Sequence, residues 1–305
     1  MERNGRRPII IATDLTAASE AAVSFGANLA SDLALPVILL HAAAPVSPMS
    51  DPIAGVPVTI EPRRETEAAG LELERIIREL FPAHLEVEPR LVNDHPIPAI
   101  CKLAEDEDAE LIVMGRRSHP KPLSFLLGVV VQGVLYRAVR PVITVPSTGD
   151  WLDDEIGSIL CPVDFNPIAR KALIYAASVA QRIGAEMTVA YLGGSGEPLT
   201  AGDTARRLSD WVPRDLHARC LQQVVVSDGS PIKELDRMMD GLGFDLLVIG
   251  LTGKPFHKTT IIGSSIERIL RHASCPVMVV PDSMAERVAA SSPGLLAAGV
   301  TGELI

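Results

Sequence analysis

The residues best suited to chemistry lie in the stretch GLTGKPFHKTTIIGSS, which runs from Gly250 to Ser265. Its three glycines have the spacing G-x2-G-x9-G, and a pair of serines follows the last of them. Glycine lets a ligand approach backbone N–H groups closely, and serine hydroxyls donate hydrogen bonds. The residues after Gly263 have the apolar spacing of a helix, so a helix N-terminus with unpaired donors follows the loop. This combination suits a phosphate group.

The same residues also permit a purely structural interpretation. Ser264 and Glu267 form the S-x-x-E pattern of a capping box, which stabilises a helix by about 1 kcal/mol without any ligand. Two common phosphate motifs are absent, because Pro255 follows Lys254 where a Walker A loop needs Ser or Thr, and the G-x-G-x-x-G spacing is missing. From the loop alone, a helix cap and a phosphate site both remain open.

The sequence segments that would position this loop occur twice in the chain. Ile9 to Ala30 aligns with Ile159 to Ala180, AELIVMG aligns with FDLLVIG, and RPVITVP aligns with CPVMVVP. Asp14 then corresponds to Asp164. Such internal similarity indicates a duplication, and the first copy carries an additional Pro-rich insert, APVSPMSDPIAGVPVTIEP. We expect one domain at residues 1–150, a second at 151–282, and a C-terminal tail at 283–305.

Each copy alternates short apolar runs with helical patterns. In the second copy the runs are SILCPV, AEMTVAYLGG, ARCLQQVVV, DLLVIG and PVMVV. Strands that are apolar on both faces and separated by helices predict a parallel sheet covered on both sides. We therefore predict an α/β protein of two tandem doubly wound, Rossmann-like domains, each with a five-stranded parallel sheet. Ligands of such sheets bind beyond the carboxyl ends of the strands, where Asp164, Leu192 and Gly250 lie.

Composition narrows the classes of function. The formal net charge of −10 argues against a nucleic-acid partner, because neutralising phosphates needs a clustered Lys/Arg surface. No segment approaches the roughly 20 apolar residues needed to span a bilayer, and the apolar run near the N-terminus is too short for a signal peptide. The four cysteines and seven histidines show no ligand spacing. We expect a soluble cytoplasmic protein with buried reduced thiols, no membrane partner, no metal site and no catalytic histidine.

The second copy resembles a universal stress protein domain, and the whole chain resembles a tandem member of that family over about residues 8–146 and 157–281. The family's ATP-binding branch carries G-x2-G-x9-G-[ST], and this pattern is filled by Gly250, Gly253, Gly263 and Ser264. The opening PVDF at Pro162 to Phe165, the DGSP turn at Asp228 to Pro231 and the closing HASCPVMVV also match family features in the right order.

The resemblance implies that the second domain binds one ATP, with Mg²⁺ as a candidate companion. Adenine and ribose would lie against the strand ends, at Pro162, Val163, Asp164, Leu192, Ile249 and Gly250. The phosphates would be held by Gly253, Gly263, Ser264 and Ser265. A carboxylate at a strand end suits ribose hydroxyls or Mg²⁺, and the alternative role of Asp164 is to cap the helix that starts near Asn166.

The first copy departs from the family pattern. Gly115 and Gly128 remain, but Ser118 replaces the middle glycine and Val129 replaces the Ser or Thr. Because Val129 brings no hydroxyl and a β-branched side chain crowds the phosphate position, we expect the first domain to bind no ATP and to serve packing. In the family the last strands of two domains pair at a dimer interface, so PVITV and PVMVV would pair within this chain as a pseudo-dimer.

The function that follows is a nucleotide-dependent sensor or regulator in the stress response. Two alternatives remain open. The first is a slow ATPase or phosphotransferase, for which Asp164 is the carboxylate we would nominate. The second is an interaction module that binds no nucleotide and keeps the glycines as inherited scaffold. A further homodimer and an unidentified protein partner are compatible with each of these functions.

Overall fold

The computed structural model of the protein describes residues 5–43, 62–116, 127–147, 155–192, 201–212, 220–225, 231–251 and 264–284. The chain divides into two compact units. The first comprises Met1–Ile156 together with Ile262–Val277, and the second comprises Gly157–Ile261 together with Met278–Ile305. The domain bounds given above remain a prediction, and the contacts place residues 262–277 of the second repeat with the first unit.

Strands and helices alternate along the described chain. The strands are β1 (Ile9–Thr13), β2 (Val37–Ala42), β3 (Val87–Val92), β4 (Leu111–Gly115), β5 (Val142–Val145), β6 (Ser158–Val163), β7 (Glu186–Leu192), β8 (Cys220–Val225), β9 (Leu246–Leu251) and β10 (Val277–Pro281). The helices are α1 (Ala17–Leu33), α2 (Pro62–Leu80), α3 (Pro96–Asp106), α4 (Val129–Arg137), α5 (Pro167–Ile183), α6 (Ala201–Trp211), α7 (Pro231–Leu242) and α8 (Ser264–His272), with a short 3-10 helix at Asp282–Met284.

The two repeats have the same strand order. In the first, the order is β3-β2-β1-β4-β5, and Ile10 of the central strand pairs in parallel with Ile38 on one side and Ile112 on the other. In the second, the order is β10-β9-β6-β7-β8, and β6 pairs in parallel with both β7 and β9. The predicted α/β fold with parallel sheets is therefore confirmed.

Burial explains why the apolar runs form strands. Ile9, Ile10 and Ile11 of β1 are completely buried, as are Leu246 and Leu247 of β9, because helices cover both faces of a parallel sheet. Strand β3 lies at an outer position of its sheet and differs, since none of its residues is fully buried and Pro89 and Leu91 are exposed. The core of each unit thus lies around its central strands.

Arg116, which follows β4, ties the first repeat to the end of α8 within the first unit. Its side chain is only 2% exposed. The guanidinium Nη1 donates to the carbonyl oxygen of Ala273 at 2.6 Å, and Nη2 donates to that of Cys275 at 2.8 Å. A cation at the carbonyl end of a helix satisfies acceptors that lack partners within the helix and opposes the negative end of its dipole.

The cysteines match the expected buried thiols where the structure describes them, since Cys101, Cys161 and Cys275 are buried and form no disulfide. Within the described ranges, no three His, Cys, Asp or Glu side chains gather closely enough to hold a metal ion. A helix with the length and apolarity needed to cross a bilayer is also absent from those ranges.

Candidate functional site

The predicted adenosine-side residues lie along one edge of the second repeat's sheet. Pro162 and Val163 are the last residues of β6, Leu192 ends β7, and Ile249 and Gly250 belong to the last half of β9. Strands β9, β6 and β7 are neighbours in that order, so their carboxyl ends share an edge. Val163 is 3% exposed and Ile249 is 6% exposed, which places both side chains in the core below this edge.

Asp164 is the exposed acidic group at this edge, directly after β6. Its Oδ1 accepts a hydrogen bond from the backbone N–H of Asn166 at 3.1 Å, which closes a tight turn. The N-cap of α5 is Asn166, whose Oδ1 accepts from the N–H groups of Ile168 at 2.6 Å and Ala169 at 3.2 Å. The alternative in which Asp164 caps this helix is therefore wrong. Asp164 instead shapes the turn and presents its carboxylate to solvent.

The residues that follow Asp164 and its counterpart in the first repeat, Asp14, both have a left-handed backbone conformation. Phe165 has φ of 61°, and its counterpart in the first repeat, Leu15, also has φ of 61°. A bulky side chain in this region costs about 1–3 kcal/mol, and such a conformation persists only where the surroundings enforce it. The turn that carries Asp164 is thus held against a local backbone preference.

Aromatic side chains and an arginine contact the residue at this turn in the second repeat. The Phe165 ring stacks on Tyr191 with centroids 4.5 Å apart and an angle of 24° between the planes. Trp211 meets the same ring edge-on at 5.6 Å, and the guanidinium carbon of Arg207 lies 4.4 Å from the ring centroid. We call these four residues the Phe165 cluster. Sequence reasoning missed it, although the chain has only 2 Trp, 3 Tyr and 6 Phe residues, and that scarcity is a signal.

The first repeat holds the equivalent turn with hydroxyl groups. Thr13 Oγ1 accepts from the N–H of Leu15 at 3.0 Å and lies 2.8 Å from the hydroxyl of Ser19. His41 Nδ1 lies 2.9 Å from the carbonyl oxygen of Thr13. The backbone N–H two residues after the aspartate donates to its carboxylate in both repeats, from Thr16 to Asp14 and from Asn166 to Asp164. The second repeat has Val163, Ala169 and Tyr191 at the positions of Thr13, Ser19 and His41, so it adds ring contacts to this bond where the first repeat adds hydroxyl and imidazole contacts.

Gly250 has a structural reason to be glycine. A Cβ atom at this position would lie 2.8 Å from the carbonyl oxygen and 3.0 Å from the carbonyl carbon of Ile168 in the first turn of α5. At Gly115, its counterpart, the nearest atoms would lie 3.7 Å away, which is ordinary contact. Close packing of α5 against the end of β9 therefore demands glycine in the second repeat alone.

The predicted phosphate-side residues are described only in part. Gly253 and Gly263 lie outside the described residues. Ser264 and Ser265 are the first two residues of α8, which is counted with the first unit. Glu267, the acidic member of the suggested capping box, makes an ion pair with Arg271 one turn further along the helix.

The equivalent helix start in the first repeat lacks hydroxyl groups. Its N-cap is Gly128, which has no side chain, and the first helical residue, Val129, is 78% exposed. The stretch GRRSHPKPLSFLLG from Gly115 to Gly128 precedes this helix, and its first basic residue, Arg116, is buried and donates to backbone carbonyls. This arginine is therefore committed to protein acceptors.

Comparison with known proteins identifies the family. The model of the universal stress protein family matches residues 5–146 and 155–281. The chain therefore belongs to the universal stress protein family, with two such domains in tandem.

Relatives of similar length support this assignment. A universal stress protein of Mycolicibacterium smegmatis is 25% identical over 289 residues, which cover 89% of this chain and 96% of that protein. A universal stress protein of Mycobacterium tuberculosis is 25% identical over 213 residues, covering 65% of this chain and 70% of that protein. Among solved structures, a universal stress protein from Archaeoglobus fulgidus superimposes with a TM-score of 0.72 at 21% identity, covering 92% of this chain and 99% of that one.

Proposed function

We propose that this universal stress protein binds one ATP per chain through its second repeat and acts as a nucleotide-dependent regulator in the stress response. The observation that carries the proposal is the exposed Asp164 carboxylate between the ends of β7 and β9, in the repeat whose following loop has the full G-x2-G-x9-G-S pattern. A carboxylate at the carboxyl edge of a parallel sheet is placed to accept ribose hydroxyls.

The described residues fit the adenosine half of such a ligand. Pro162 is half-buried beside the exposed Asp164, so an apolar surface and a hydrogen-bond acceptor stand side by side. The residues that would bind the phosphates are given by the sequence pattern, and they are Gly253, Gly263 and the two serines that begin α8. When bound, Mg²⁺ would neutralise phosphate charge, and Asp164 is the residue we assign to hold it or the ribose.

The test begins with the nucleotide that co-purifies with the full chain, identified and counted by mass spectrometry, followed by calorimetric titration of the emptied protein with ATP. We expect one ATP per chain. A ligand at 100 times its Kd adds about 2.7 kcal/mol of stability, so thermal unfolding provides a second measurement. Two bound ATP molecules would show that the first repeat binds as well.

A matched pair of variants assigns the site to one repeat. Gly263→Val places a β-branched side chain where the phosphate is expected, and Gly128→Val makes the same change at the equivalent position of the first repeat. We expect Gly263→Val to abolish ATP binding with an unchanged circular dichroism spectrum, while Gly128→Val binds as the wild type does. Unchanged affinity in Gly263→Val would refute the assignment.

Two other outcomes distinguish the alternative functions. ATP turnover that disappears in Asp164→Ala would indicate a slow ATPase or phosphotransferase rather than a regulator. A protein that carries no nucleotide and gains no thermal stability from ATP would indicate an interaction module.

A further inference from the structure

The Phe165 cluster connects helix α6 to the turn that carries Asp164. Arg207 and Trp211 belong to α6, Tyr191 belongs to the end of β7, and Phe165 is the residue next to Asp164. All of them lie in the second unit. A helix in the crossover between β7 and β8 therefore contacts the predicted ribose-binding turn through one aromatic ring.

The contacts on the Phe165 ring oppose the strain in the backbone of that residue. With φ at 61°, Phe165 tends to return to an extended or right-handed conformation, which would swing the neighbouring carboxylate. Tyr191 covers one part of the ring by stacking, and Arg207 places a guanidinium over the ring with its carbon 4.4 Å from the centroid. Offset stacking and cation–π contacts are directional, so they select one ring position rather than merely burying it.

The conformation of the ring is transmitted to Asp164 by a hydrogen bond. The turn closes when the N–H of Asn166 donates to Asp164 Oδ1, at 3.1 Å, across Phe165. If Phe165 left the left-handed region, this N–H and the carboxylate would separate. Rotation at one residue therefore controls both the turn and the direction of the acid.

We propose that α6 is the positioning element of the nucleotide site, in which Arg207 and Trp211 clamp the Phe165 ring on Tyr191 and thereby fix the Asp164 carboxylate. This role rests on the proposed function of the second repeat. Arg207 and Trp211 are positioning residues, since they act on the ligand through Phe165. The clamp belongs to the second repeat, because the first repeat has Leu15 at this position and holds its turn with hydroxyls.

The decisive variant is Arg207→Gln, with Arg206→Gln as its control. Both arginines are exposed on α6 and adjacent in sequence, so the two substitutions make the same change of charge and of helix propensity. Only Arg207 lies over the Phe165 ring among the contacts that the structure describes. Arg207→Lys keeps a cation over the ring and is expected to restore the wild-type behaviour.

Two measurements are made on each full-length variant. The first is hydrogen exchange of the Asn166 amide by NMR, which reports closure of the turn without any nucleotide. The second is the Kd for ATP by calorimetry. Because an exposed cation–π contact is modest, we expect Arg207→Gln to raise both the exchange rate and the Kd by about three-fold. Arg206→Gln is expected to leave both unchanged.

The outcomes separate the clamp from the nucleotide assignment. Unchanged exchange in Arg207→Gln would refute the clamp, and faster exchange with an unchanged Kd would refute its role in positioning a ligand. A wild-type chain that binds no ATP would refute the proposed function and with it the positioning role. In that case the exchange of Asn166 would still show whether α6 holds the turn.

Discussion

Equivalent glycines in the two repeats serve different purposes. At Gly250 a side chain would strike the backbone of Ile168, whereas at Gly115 there is room for one. The first glycine of the ATP-type pattern is therefore required by helix packing, whatever the ligand does. The evidence for a ligand then rests on the later members of the pattern, Gly253, Gly263 and Ser264, and on the exposed Asp164.

This difference predicts opposite outcomes for two alanine substitutions. Gly250→Ala should reduce the free energy of unfolding by about 1–3 kcal/mol, because the contact is with backbone atoms that cannot turn aside. Gly115→Ala should change it by no more than about 0.5 kcal/mol. Urea unfolding of the two variants beside the wild type tests this, and equal stabilities would contradict it.

The thiol of Cys101 makes the folding stability of the protein depend on pH in the alkaline range. Burial raises the pKa of this thiol from an ordinary 9.0 to about 11, and the charges of Arg137 and Glu105 act in opposite directions on it. Between these values the unfolded chain loses the proton while the folded chain keeps it. Stability is therefore full below pH 9.0 and falls as the pH rises toward 11.

Cys101→Ala should remove this contribution. We expect the difference in the free energy of unfolding between wild type and Cys101→Ala to be constant from pH 7 to about 8.5 and to shift against the wild type at higher pH. Urea unfolding across this range measures it. A difference that stays constant up to pH 10.5 would show that the thiol titrates alike in both states.

Among the elements, α5 has well-defined ends. Asn166 caps its N-terminus with two side-chain hydrogen bonds, Pro167 occupies the first helical position, and Gly184 ends it with φ of 77°. Helix α1 begins at the equivalent point after Thr16, which makes no side-chain cap hydrogen bond within the described chain. The same element is thus anchored more strongly at its start in the second repeat.

Removing the cap of α5 should destabilise the protein. Asn166→Ala is expected to cost about 1 kcal/mol, and Asn166→Ser should retain most of the stability because a hydroxyl oxygen caps nearly as well and places no second carboxylate beside Asp164. Thr16→Ala is the matched control at α1 and should cost less than Asn166→Ala. Thermal unfolding compares the three variants, and an equal loss in both alanine variants would contradict the assigned cap.

The order of strands and helices was predictable, because buried parallel strands leave unbroken apolar runs and glycines mark their ends. The details of the turns were less so. Asp164 and Asn166 are both good capping residues, and only the backbone geometry decides which of them caps α5. The Phe165 cluster joins residues far apart in sequence, and a single aromatic residue at a strand end is equally consistent with a core position.

For the whole molecule, the contact between Arg116 and the end of α8 joins residues of both repeats in one unit. In the sequence this arginine begins the basic stretch RRSHPK, and a buried cation has no sequence pattern that sets it apart from its neighbours there. Arg116→Met should cost about 3 kcal/mol, because it leaves two carbonyl oxygens without their charged donor. Arg137→Met, at an exposed position of α4, should cost less than about 0.5 kcal/mol.

Urea unfolding and hydrogen exchange at the end of α8 test this prediction together. Loss of stability with faster exchange near Ala273 would support the role of Arg116. Stability within about 0.5 kcal/mol of the wild type would show that solvent replaces the guanidinium there.

The position of α8 also bears on how such a chain evolves after its gene is duplicated. Immediately after a duplication the two copies are equivalent, and either can be lost or replaced. Here, deleting the second copy would strip Arg116 of its acceptors at Ala273 and Cys275 and leave a buried cation behind. Deleting the first copy would in turn leave the carbonyl oxygens of Ala273 and Cys275 without their charged donor. A first copy that binds no nucleotide would therefore still contribute to the folding of the second.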